Sequence, residues 1–120
     1  MQKPRKDVTN FLASHHAIRK LDIQNQDFHY FPRGLAQILP NLTEISIINC
    51  KLKSIEANDL LGLNKLVRLD LSRNDLDYLP HDLFKHTPQL KEAKIIENNI
   101  KQKLLEPLLS RGRVDLKSTQ

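Results

Sequence analysis

Five histidines, one cysteine and three glycines are where acid–base catalysis, metal binding or phosphate binding would have to start. His15, His16, His29, His81 and His86 stand at no spacing from Cys50, Asp or Glu that makes a metal site. Gly34, Gly62 and Gly112 are isolated, so no glycine-rich loop wraps a phosphate. No nucleophile has a base at motif spacing, and the carboxylates are interleaved with cations instead of being paired with one another. The sequence therefore assigns no catalytic residue, no metal ligand and no cofactor, and a non-enzymatic chain is expected. Cys50 has no second cysteine to bond with and reads as a core residue, not a reactive thiol.

The polar groups with a regular spacing are of another kind. Gln26, Cys50, Asn74 and Asn98 recur every 24 residues, each behind the same apolar frame. In the third copy the frame is Leu66, Leu69, Leu71, Leu76 and Leu79. It falls on Leu42, Ile45, Ile47, Leu52 and Ile55 one step back, and on Ile18, Leu21, Ile23, Phe28 and Phe31 two steps back. One step forward it meets Leu90, Ala93, Ile95 and Ile100, then fails at Lys103. Around positions 69–72 apolar and polar residues alternate, which predicts a short half-buried strand in each copy.

The resulting pattern, LxxLxLxx(N/C)xL, resembles the leucine-rich repeat family over residues 18–100. "LPHDLF" at 79–84, with Pro40 and Pro88 before the next leucine, resembles the 24-residue form of extracellular members, including small secreted insect proteins. The resemblance implies an α/β solenoid: a right-handed arc with a short parallel sheet on its concave face and short helices or turns on its convex face. Its units are 18–41, 42–65, 66–89 and 90–113, the last irregular after residue 100. Residues 1–17 form a tail and a partial convex half-repeat, and 114–120 a partial final strand and tail. Asn74 and Asn98, with Cys50 as the family's accepted variant, would form a buried ladder serving backbone groups of neighbouring turns. Gln26 departs from that pattern, which implies a looser first turn. Leu83 and Phe84 are expected to point inward from the return segment.

Composition fits one Leu- and Ile-rich domain of 120 residues, with 5% aromatics and no Trp. No apolar run reaches the 18 or so residues of a membrane span. "MQKPRKDV" opens with basic residues and no apolar segment behind it, so no signal peptide is expected in this chain. Phe11 and Leu12 align with Leu83 and Phe84, which reads as half of an earlier repeat. "VDL" at 114–116 reads as one more strand, with Val114 and Leu116 following Ala93 and Ile95 after 21 residues. Neither end has a cysteine-rich cap. The expectation is a fragment or truncated form of a secreted or receptor-like protein, with a short natural protein as the alternative. Uncapped ends also predict self-association. "NLT" makes Asn41 a glycosylation acceptor if the chain is secreted. The compartment expected for the parent is extracellular or the secretory pathway, the alternative cytoplasmic.

The net charge of +5 comes from the ends, since residues 18–100 hold 11 Lys/Arg and 11 Asp/Glu. A nucleic-acid partner is not expected from that balance. Outward columns on the sheet read Lys20, Glu44, Arg68, Glu92 and then Asp22, Ser46, Asp70, Lys94, the second continued by Asp115. The first alternates in sign at every step. A third, Gln24, Ile48, Ser72, Ile96, places two isoleucines outward. With Asn49, Arg68 and Arg73 around them they make an apolar centre and polar rim. The expected partner-binding set is Lys20, Gln24, Glu44, Ile48, Asn49, Arg68, Asp70, Ser72, Arg73, Lys94 and Ile96, and the expected partner a protein. Tyr30 and Tyr78 share one repeat position and either flank that set or lean on neighbouring turns. The competing readings are a structural segment with no ligand, or a polyanion binder using Lys3–Lys6 and Lys101–Lys117.

Overall fold

A computed structural model describes residues 15–101 and 114–118. Five strands form one parallel sheet in chain order: β1 (Lys20–Gln24), β2 (Glu44–Ile48), β3 (Arg68–Asp70), β4 (Glu92–Lys94) and β5 (Asp115–Lys117). Leu21 stands beside Ile45, Ile45 beside Leu69 and Leu69 beside Ala93, one 24-residue step at a time. The cause is the period-two alternation in each strand, which sends one residue inward and the next outward. Ile45, Ile47, Leu69, Leu71, Ala93 and Ile95 are buried, while Glu44, Ser46, Arg68, Asp70, Glu92 and Lys94 remain partly or fully exposed.

The last step is shorter. Leu116 pairs with Ala93, and Asp115 pairs with Glu92, so the final strand arrives after 23 residues. The expected 21-residue spacing, which placed Val114 under Ala93, is therefore corrected. Asp115 belongs to the first outward column and Lys117 to the second, beside Lys94. The physical reason is that Leu116 enters the core position at Ala93 while Val114 packs just ahead of the strand.

The return segments are mostly turns, with a single turn of helix α1 (Leu35–Ile38) and a 3-10 helix (Ala57–Leu60). Glu56 and Asp59 cap the latter reciprocally, the Asp59 carboxylate accepting from the Glu56 N–H at 2.8 Å. Leu83 and Phe84 point into the core from the third return, as their spacing predicts. The expectations on Phe11, Leu12 and Lys3–Lys6 lie outside the described residues.

Behind the strands each turn leaves the sheet through a left-handed residue: Asn25, Asn49, Arg73 and Glu97, with φ of 60, 56, 60 and 61°. Asparagine tolerates this region and the others adopt it at some cost. The turn is held from outside, since the N–H groups of Asn25, Asn49 and Arg73 donate to the carbonyls of Ile48, Ser72 and Ile96 on the next turn. Gly62 has φ +88°, and a Cβ there would lie 2.8 Å from the Ala36 Cβ. We expect Gly62→Ala to lower stability by about 1–3 kcal/mol, through strain and overlap together. Adding Ala36→Gly should recover only the overlap part, and thermal melts of the single and double variants would separate the two.

Candidate binding surface

The asparagine ladder sets the spacing of the turns. Asn74 is buried at 5% exposure. Its side-chain oxygen accepts from the N–H groups of Cys50 at 2.9 Å and Leu52 at 3.1 Å. Its amide donates to the carbonyls of Ile47, Leu71 and Ser72 at 2.7, 3.0 and 3.2 Å. Asn98 repeats this one turn on, accepting from Leu76 N–H and donating to Leu71 and Ile95 carbonyls. Cys50 is fully buried, with its thiol directed at the Ile48 carbonyl 3.2 Å away. A thiol cannot replace the amide oxygen as an acceptor, so the Phe28 N–H bonds to the Cys50 main-chain carbonyl instead, at 2.9 Å. Gln26 is exposed and bonds within its own turn, to the Gln24 carbonyl. The structure thus joins Cys50, Asn74 and Asn98 and leaves Gln26 out.

On the outward face the first column is a chain of ion pairs. Glu44 lies 3.9 Å from Lys20 and 3.5 Å from Arg68, and Glu92 lies 3.6 Å from Arg68 and 3.4 Å from Lys117. All these groups are at least a quarter exposed, so each pair contributes about 0.2–1 kcal/mol at most. The neighbouring Asp115 carboxylate, and then hydrogen bonding to Glu92, hold the Lys117 amine above its ordinary value. A shallow depression of about 180 Å³ lies between the strands, lined by Glu44, Ser46, Arg68, Asp70, Glu92 and Lys94 among others.

The third column runs beside this depression. Ile48 stands next to Gln24 in the sheet register, and Ile48 and Ile96 are both half-buried. Between them Ser72 is 9% exposed. Its N–H donates to Asp70 at 3.0 Å, but its buried Oγ meets no hydrogen-bond partner among the described residues. Behind this column Asn49 donates to Asn25 at 2.6 Å, and Arg73 pairs with Glu97 at 3.2 Å. Tyr30 and Tyr78 are 68% and 46% exposed, so both rings face solvent.

The family model described as Leucine rich repeat matches residues 16–76. The chain belongs to the leucine-rich repeat family. Two solved structures share its fold. One, the TLR13–ssRNA13 complex, has a TM-score of 0.75 at 25% identity, over 90% of this chain and 16% of that one. The other, the Toll–Spatzle complex of Drosophila, has a TM-score of 0.66 at 20% identity, over 77% of this chain and 13% of that one. This leucine-rich repeat chain therefore spans less than a fifth of the length of either. No curated protein matches its sequence.

Asn41, the sequon residue of this leucine-rich repeat chain, is half-buried and tied at both ends of its amide. It donates to the His16 carbonyl at 2.8 Å and accepts from Lys65 at 2.8 Å. That clamp across three turns was not visible as such in the sequence, because the repeat pattern assigns no role to position 41. The described residues hold no cluster of three His, Cys, Asp or Glu placed to bind a metal. No helix among them is long and apolar enough to cross a membrane.

Proposed function

We propose that this chain is a non-catalytic protein-binding segment that engages its partner through the outward, concave face of the sheet. The observation that carries the reading is the third column: two half-buried isoleucines flanking a buried serine hydroxyl that has no hydrogen-bond partner. A buried polar group left unpaired costs about 1–3 kcal/mol, a cost that a partner's donor or acceptor would remove. Ile48 and Ile96 would supply apolar contact, with Arg68, Asp70, Arg73, Asn49 and Lys94 as the rim and Lys20, Gln24 and Glu44 as its extension. The family and the ligand-bound neighbours support binding in general. One neighbour's complex contains RNA. A protein partner fits this face better, because Lys20, Arg68 and Lys117 each lie within 3.9 Å of a carboxylate.

We place the parent protein in the secretory pathway, on the likeness to secreted family members and the Asn41 sequon. The chain would be a portion of a longer solenoid. The test of the face is Ile48→Glu combined with Ile96→Glu, used as bait beside the unaltered chain in a pull-down from source tissue. Specific partners should drop at least tenfold, with circular dichroism unchanged. Charge reversal at Lys20 or Glu92 should do less. Equal recovery by both baits would overturn the face and favour a structural segment without a ligand. A steep loss of binding with salt would instead favour a polyanion partner.

A further inference from the structure

The depression on the sheet face holds one negative charge that the chain leaves unpaired. Glu44, Asp70 and Glu92 line it on the acidic side, against Arg68 and Lys94 on the basic side. Glu44 and Glu92 share Arg68, at 3.5 and 3.6 Å, and each has a lysine besides, Lys20 for one and Lys117 for the other. Asp70 makes no ion pair among the described residues, although Lys94 stands beside it in the sheet register. Its carboxylate is held instead along its own chain, where it accepts the Ser72 N–H at 3.0 Å. That bond turns it toward the third outward column. There Ile48 and Ile96 are half-buried, and the Ser72 hydroxyl between them is buried with no hydrogen-bond partner among the described residues.

We propose that the anchor this face takes from its protein partner is one basic side chain, an arginine in preference to a lysine. Its head group donates to the Asp70 carboxylate, and its aliphatic stem lies along Ile48 or Ile96. This rests on the concave face being the binding surface, and it names the chemistry that the surface selects. A guanidinium suits the place because its planar fork keeps a second donor for the Ser72 hydroxyl, two residues on along the same side of the strand. An acidic anchor does not fit. Arg68 already serves two carboxylates, and a further negative charge would stand among Glu44, Asp70 and Glu92. The local preference also opposes the field of the whole chain, whose net charge of +5 draws acidic partners at long range. Selection of a basic partner therefore reports this site and not the overall charge.

The test uses a random peptide library displayed on phage and selected on the full 120-residue chain. Arginine-containing peptides should be enriched over the unselected library. Synthetic copies of them are then titrated against the unaltered chain, Asp70→Asn, Lys94→Gln, and Ile48→Glu combined with Ile96→Glu. Asparagine keeps the oxygen that accepts the Ser72 N–H, so Asp70→Asn should retain the circular dichroism spectrum while affinity falls about tenfold. Lys94→Gln removes a like charge beside Asp70 and should tighten binding. The isoleucine double variant should lose the peptides altogether. Peptides that lose affinity for the isoleucine variant but bind Asp70→Asn undiminished would overturn the basic anchor and leave the face standing. Peptides that bind all variants equally would overturn both. Enrichment of acidic peptides, or of none, would also overturn the anchor.

Discussion

Asn74→Leu is expected to abolish cooperative folding of this chain, while Gln26→Leu leaves its melting temperature within a few degrees. The two residues occupy the same repeat position, so the contrast isolates what the ladder contributes. Leucine fills a similar volume but can neither accept from Cys50 and Leu52 nor donate to Ile47, Leu71 and Ser72. Those backbone groups are enclosed where water cannot replace the amide, and each buried group left unpaired costs about 1–3 kcal/mol. Even partial relaxation leaves a loss comparable to the whole stability of a small domain, about 5–15 kcal/mol. Asn98→Leu should fall between the two, because Asn98 is only half-buried and makes fewer such bonds. Far-ultraviolet circular dichroism with a thermal scan reads all three, and a cooperative melt for Asn74→Leu near that of the parent would refute the ladder's role.

Leu71→Asp should unfold the domain as completely, by a different route. Leu71 is 1% exposed, and its neighbour Asp70 already carries a carboxylate on the opposite face. Moving that charge one residue along the chain takes it from the solvated side of the sheet into the leucine core. There it must either be protonated or remain an unpaired ion, and changes of that class cost more than about 4 kcal/mol. An unchanged melting temperature would mean that the inward and outward faces are exchanged, since a one-residue slip reverses every side chain.

The core was legible because one apolar frame recurs at a fixed step, and burial of Ile45, Leu69 and Ala93 follows directly from it. The final strand was harder to place. It has three residues, and its apolar neighbours Val114 and Leu116 fit two registers equally well until packing at Ala93 selects one. The left-handed corners left no mark on composition. Asn25 and Asn49 suit that conformation, but Arg73 and Glu97 do not, and at Arg73 a hydrogen bond to the Ile96 carbonyl of the next turn holds it. Gly62 looked like any loop glycine, since its close approach to Ala36 arises only when the second return packs on the first. At the binding surface the outward columns could be read from register alone. The orphaned hydroxyl of Ser72 could not, because it depends on how far the flanking isoleucines cover it.

The alternating ion pairs also bear on how such a chain can grow or shrink in evolution. Lys20 and Arg68 carry one sign and Glu44 and Glu92 the other, so adjacent turns are complements, not copies. The same alternation extends to Tyr30 and Tyr78, Ile48 and Ile96, and Pro40 and Pro88, each pair two turns apart. Loss of a single turn, residues 42–65, would set Lys20 against Arg68 and break that phase, whereas loss or gain of two turns would preserve it. For this column the pair of turns, and not the single turn, is the step that keeps every neighbour opposite in sign.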